Sequence, residues 1–365
     1  MRCRSVPLFA VLLISACAAS PLPAQEPAPP RVILFIGDGA GVAYWTAARF
    51  ASEHLSVDRF TVVGLVNTRS ASNKVTDSAA GATVYATGLR TYNGAIGVGP
   101  DREPRRTVLE VAEERGMATG LVATSTITHA TPASFAAHVV DRRMEAEIAR
   151  QYAAQQIEVL LGGGRRFFDG TGRGASDLLP DLRRRYTYVE DGAALRALDL
   201  DTVSTLLGLF ADGGMPPAPE RSPTLPEMTR AALEILDRDP DGFFLMVEGS
   251  QSDWRGHANE PLAAVTAEML GLDAAIGVAL DYQEDHPETL IVVVADHETG
   301  GLALEEDDSG ALVAHYTTTH HTAAMIPLFA RGPGAERFGG LVTNARVGEL
   351  LMDAVRGAPV TVGAR

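Results

Sequence analysis

"RVILFIGD", residues Arg31 to Asp38, decides how the chain folds. Its apolar residues are consecutive rather than alternating, so a strand formed here is buried on both faces, as in a parallel sheet covered by helices on each side. It also ends on a carboxylate. Four further runs have the same character: "GLVATS" from Gly120, "EVLLGGG" from Glu158, "GFFLMVE" from Gly242 and "TLIVVVAD" from Thr289. Between them, "TVLEVAEERG" from Thr107, "LPEMTRAALEILDRD" from Leu225 and "PLAAVTAEMLGLDAAIGVALDY" from Pro261 repeat apolar residues at three- and four-residue spacing, which is helical. The alternation predicts an α/β fold, a central mostly parallel sheet with helices on both faces, as a single domain over residues 31–365.

Ligands in such folds bind beyond the carboxyl ends of the strands. Three of the runs end there in acids, Asp38, Glu248 and Asp296, the last followed by His297. One acid at a strand end is commonly a turn former or a helix cap, but three at one edge repel each other unless a cation joins them. "EGSQSDWRGH" then sets Asp253 and His257 four residues apart, on one face of a helix, and "TTTHHTAAMIPLFA" offers His320 and His321 ahead of another buried run. Carboxylate oxygen mixed with imidazole nitrogen suits zinc better than magnesium or calcium. The glycine-rich "GDGAGVA" from Gly37 is a weak dinucleotide loop, because Val42 stands where the last small residue belongs and Asp38 would face the pyrophosphate.

"VTDSAAGATVYATG", Val75 to Gly88, places Ser78 at the start of a helix poor in bulky side chains. The ordinary reading of such a serine is an N-cap, whose hydroxyl accepts a backbone N–H.

The chain has 365 residues, 46% of them hydrophobic, and a net charge of −15, which supports a large core and excludes a binder of the nucleic-acid backbone. Arg2 and Arg4 precede the apolar stretch Val6 to Ala16, the pattern of an export signal. Two endings of that signal compete: cleavage after Ala24, giving a signal peptide 1–24 and a proline-rich tether 25–30, or a lipoprotein signal 1–16 in which Cys17 of "ISAC" carries a lipid anchor. Either puts the protein in the periplasm, outside the cell, or on the bacterial envelope. Both cysteines, Cys3 and Cys17, belong to this segment, so the folded body has no disulfide.

Taken in order, "FIGDGAG", "TDSAAGATVYATG", "HATPASFAAHVVDR", "MVEGSQSDWRGH", "ADHETGG" and "HTAAMIPLFARGP" resemble the metal and phosphate motifs of the alkaline phosphatase family across Arg31 to Gly334. The resemblance implies hydrolysis of phosphate monoesters through a phosphoserine on Ser78, with two zinc ions and one magnesium ion as cofactors. One zinc would be held by Asp253, His257 and His321, with His321 preferred over His320. The other would be held by Asp38, Asp296 and His297, with Ser78 as its changing ligand. Asp38 would bridge to the magnesium site, completed by Thr131 and Glu248, and Arg142 would clamp phosphate with Asp77, His129 and Trp254 around it. The enterobacterial form carries aspartate and lysine at the positions of His129 and Trp254, so the third metal is the least determined part. The stretch between His297 and His321 lacks the long insertion that forms a crown over the dimer in many members, which leaves a homodimer open. The competing activity is a phosphodiesterase or sulfatase of the same superfamily.

Overall fold

The computed structural model describes residues 29–357; the expected leader, Cys3, Cys17 and residues 25–28 of the tether lie outside the described residues. The strands are β1 (Arg31–Gly37), β2 (Val62–Asn67), β3 (Ala118–Thr126), β4 (Val159–Gly163), β5 (Thr187–Val189), β6 (Leu206–Leu209), β7 (Phe243–Gly249) and β8 (Thr289–Val294). There follow the short β9 (Glu298–Thr299), β10 (Leu302–Glu306), β11 (Leu312–Tyr316) and β12 (His321–Thr322), then β13 (Ile326–Arg331) and β14 (Gly340–Thr343). Ten of them form one sheet in the order β14-β2-β13-β8-β1-β7-β3-β4-β6-β5. Its pairs are parallel except those of β13, which runs against both β8 and β2.

The centre of this sheet follows from the apolar runs. All residues of β3, β7 and β8 are buried, and all of β1 but Arg31. Since successive side chains of a strand point to opposite faces, both faces must be covered. β1 lies between β7 and β8 in register, Ile36 opposite Glu248 and opposite Val294, so Asp38, Glu248 and Asp296 emerge at one edge. The 24-residue helix Leu262–Asp285, long and apolar enough to cross a membrane by length and composition alone, lays Val265, Met269, Leu272, Ile276 and Leu280 into the core.

The helix Ser78–Thr87 departs from the expected cap. Asp77, not Ser78, is its N-cap: Asp77 Oδ1 accepts from Ala80 N at 3.0 Å, which leaves the Ser78 hydroxyl free for other partners. The carboxylate does what the hydroxyl was expected to do because it sits one residue earlier, in extended backbone. Small residues let this helix approach the strand ends: a Cβ on Gly81 would stand 3.0 Å from Asp296 Cβ.

A charged clamp holds the segment that delivers Arg142. His138 Nδ1 donates to Gly97 O at 2.7 Å and Nε2 to Glu110 at 2.8 Å, while Glu110 also accepts from Thr107 N as part of a helix capping box. Burial opposes the imidazolium, but the bonds to Glu110 and Gly97 outweigh it and raise the pKa of His138 above 6.5. Burial likewise opposes the carboxylate, yet His138 and Thr107 hold Glu110 below 4.5. The imidazolium therefore stabilises the fold fully below pH 6.5 and ceases to as pH rises through its folded value, whereas the Glu110 contribution is lost only as pH falls below 4.5. Replacing His138 by Gln should lower the melting temperature most between these two values, and the gap to wild type should narrow at alkaline pH in thermal melts.

Candidate active site

Two histidines define the first centre. His257 and Asp253 lie one turn apart on the helix Gln251–His257, and β12 brings in His321. The two Nε2 atoms are 3.0 Å apart, with Asp253 Oδ1 at 3.3 Å from the first and 3.5 Å from the second. Each Nδ1 faces a carbonyl, Thr319 O at 2.6 Å and Thr76 O at 3.0 Å. A carbonyl only accepts, so each ring carries its proton on Nδ1 and points a lone pair from Nε2 at the other ring and at the carboxylate. In that tautomer three acceptors converge, and a cation is what such a set fits. His320 is exposed and lies outside the group.

The second group is fully buried. His297 Nε2 lies 3.5 Å from Asp38 Oδ1, 3.3 Å from Asp296 Oδ2 and 3.2 Å from Ser78 Oγ. Both carboxylate oxygens of Asp38 and Oδ2 of Asp296 have no hydrogen-bond partner. Unpartnered buried acceptors are costly and rare, and an aspartate pair in this state again fits a cation. Thr299 joins the two groups, its hydroxyl bonding Asp253 Oδ1 and lying 3.2 Å from His297 Nδ1.

A third group contains Asp38, Glu248 and His129, whose ligand atoms lie within 4.8 Å of one another. Glu248 Oε1 and the buried Thr131 Oγ1 are unpartnered, while Glu248 Oε2 accepts from Ser125 at 3.2 Å. Burial, followed by Asp296, Asp253 and Glu248, pushes the Asp38 carboxyl well above the usual range. Burial takes Glu248 up to about 7. Together these carboxylates resist ionising without positive charge between them.

His129 differs from the other histidines. Its Nε2 accepts from Arg142 Nη2 at 3.2 Å, and removal from water with the nearby guanidinium lowers its pKa to about 3. The neutral ring therefore holds its proton on Nδ1, the side away from Arg142. Trp254 meets His129 edge to face, with ring centroids 6.3 Å apart. Arg142 is anchored through Nη1 to Asp77 Oδ2 at 3.2 Å and through its own N–H to Gly94 O at 2.8 Å, beside a cleft of about 550 Å3 lined in part by Tyr92, Asn93 and Glu145. Asp77 thus serves the helix and the arginine at once, and it accepts from Gly94 N as well.

All thirteen residues singled out from the sequence border this one edge of the sheet. Thr299 and the carbonyls of Thr76 and Thr319 were not among them. Thr299 had a faint signal in its place two residues after His297; the carbonyls, being backbone atoms, had none.

An α/β sheet whose strand ends gather three candidate cation-holding groups around a buried serine and an anchored arginine defines a class of metal-dependent α/β enzymes. The chain belongs to the alkaline phosphatase family of enzymes: the model of that family, described as alkaline phosphatase, matches residues 30–315. It is 43% identical over 298 residues to alkaline phosphatase 3 of Bacillus subtilis, an alignment taking in 76% of this chain, and it spans 63% of that relative's length. The alkaline phosphatase from the Antarctic bacterium TAB5 superposes with a TM-score of 0.84 at 35% identity, covering 90% of this chain and 99% of that one. A variant of the Antarctic enzyme with one histidine replaced by aspartate, with Mg bound in its M3 site, superposes with a TM-score of 0.82 at 34% identity over 91% of this chain and 99% of that one.

Replacing Asp77 by Ala removes the helix cap and the arginine's anchor together. The expected cost is about 1 kcal/mol of stability for the cap, read in denaturant unfolding, with weaker binding of inorganic phosphate. Asp77→Asn retains an acceptor for the cap and should recover the stability while phosphate binding stays weakened.

Proposed function

We propose that the chain hydrolyses phosphate monoesters, with Ser78 as the nucleophile. The observation that carries this is the position of Ser78 Oγ, 3.2 Å from His297 Nε2, buried, at the first turn of a helix whose cap is supplied by another residue. Zinc held by Asp253, His257 and His321 and zinc held by Asp38, Asp296 and His297, with magnesium at Asp38, Thr131 and Glu248, would supply Lewis acidity that favours the serine alkoxide and offsets charge on the departing oxygen.

Ser78 Oγ loses its proton to solvent and attacks phosphorus, the bond to the alcohol oxygen breaks, that oxygen takes a proton from solvent and leaves as the alcohol, and a phosphoserine forms. The amide N–H groups at the start of the helix add a favourable field for negative charge at that point. Arg142, held by Asp77 on one side and His129 on the other, directs two N–H groups at two phosphate oxygens, a planar task for which lysine is less suited. Water then attacks phosphorus from the side the alcohol left, releasing inorganic phosphate and the free hydroxyl of Ser78. Only the phosphate is gripped, so a broad range of monoesters is accepted.

We infer that His129 stands where the replaced histidine of the Antarctic enzyme stands. A carboxylate there would complete the third group, so His129→Asp is expected to raise magnesium affinity, read by isothermal titration. The export signal supports a periplasmic or secreted enzyme, with the Cys17 anchor and a homodimer as further proposals.

Removing metal with a chelator should abolish hydrolysis of p-nitrophenyl phosphate, and zinc, with or without magnesium, should restore it. Ser78→Ala should retain metal and lose turnover by several orders of magnitude; an active variant would refute the nucleophile. The phosphodiesterase reading requires the bis ester to be the better substrate, and the monoester is expected to win.

A further inference from the structure

Trp254 does not stand free beside His129. Its indole rests against the backbone of the segment Phe210–Arg221, "FADGGMPPAPER", which follows β6: a Cβ on Gly214 would overlap Trp254 Cη2 and stand 2.9 Å from Cζ3. Resting on the reading of this site as a phosphate site, we propose that Gly214 is a positioning residue. Its backbone is the stop that sets the tilt of the Trp254 ring, and through it the edge-to-face contact with His129, the ring that braces Arg142.

A stop must be stiffer than the ring that leans on it. Gly213 O accepts from Gly164 N at 2.8 Å, Met215 N donates to Thr124 O at 3.1 Å, and Met215 O accepts from Gln251 Nε2 at 2.7 Å, so both neighbours of Gly214 are tied to the sheet end and to the helix that carries Trp254. Further along, Arg221, 5% exposed, pairs with the buried Glu268 at 2.8 Å. The other oxygen of Glu268 accepts from Ala218 N at 3.0 Å, and Arg221 Nε donates to Pro216 O at 3.0 Å. Displacing the segment would part a buried ion pair and strand its charges, which is costly. The indole is the movable partner, since a side chain can rotate where that backbone cannot. Neither Gly213 nor Gly214 has a positive φ, so alanine suits the backbone at both. The two differ in one respect: a Cβ on Gly213 meets nothing within 4 Å.

This matched pair gives the test. In the metal-loaded protein, Gly214→Ala is expected to weaken inorganic phosphate roughly 3- to 30-fold, read by calorimetry and as competitive inhibition, to raise KM more than it changes kcat, and to shift Trp254 emission, isolated by subtracting the spectrum of Trp254→Phe. Gly213→Ala should leave all of these at wild type. In a Trp254→Phe background the Gly214 substitution should add no further loss, because the ring edge that meets the stop is gone. The proposal is overturned if Gly213→Ala matches Gly214→Ala, if emission shifts while phosphate affinity does not, or if the Gly214 effect persists undiminished in Trp254→Phe. Should Gly214→Ala fold poorly, rescue by Trp254→Phe supports the stop and lack of rescue overturns it. Phosphate binding by calorimetry needs no turnover, so failure of the hydrolytic reading and failure of this proposal give different results.

Discussion

Asp38 carries the central constraint: a carboxylate with no exposure and no hydrogen-bond partner on either oxygen, at the end of the strand in the middle of the sheet. Such a group is tolerable only where positive charge can be brought to it. The neighbouring strands, β7 and β8, carry Glu248 one residue before the end of the first and Asp296 two residues past the end of the second, so the parallel register itself stacks the repulsion. An antiparallel neighbour on either side would have sent one of these acids to the opposite edge.

Around that constraint, the histidines divide by what their far nitrogens touch. His257 and His321 donate to carbonyls and so offer lone pairs inward, while His129 receives from Arg142 and offers none on that side. The same side chain thus turns an acceptor inward in two places and serves as a brace in a third. The second-neighbour bond, rather than the residue type, makes the difference.

The middle of the sheet was legible because β1, β3, β7 and β8 are buried on both faces and read as unbroken apolar runs. β2 was not, since its exposed Val63, Leu65 and Asn67 alternate with buried Gly64 and Val66, and β5 is only three residues long. The antiparallel β13 was visible as a buried run after His321, but no residue in it announces its direction. In the site, Asp253 and His257 or Asp296 and His297 were readable because their spacing alone puts them together. The helix cap was misplaced by one residue, because serine and aspartate compete on nearly equal terms for that position and tertiary contacts from Gly94 and Arg142 settle it. The Gly214 stop had no signature, because a close approach across the chain leaves nothing but a glycine in a loop.

The Nδ1–H of His321 donates to the carbonyl of Thr76, two residues before Ser78. The peptide that carries the serine is therefore a direct extension of the first centre, although the serine itself lies against the second. A turn of the His321 ring therefore pulls on the main chain just ahead of the Ser78 hydroxyl. The two groups are thus tied mechanically, by that backbone oxygen on one side and by the Thr299 hydroxyl between Asp253 and His297 on the other.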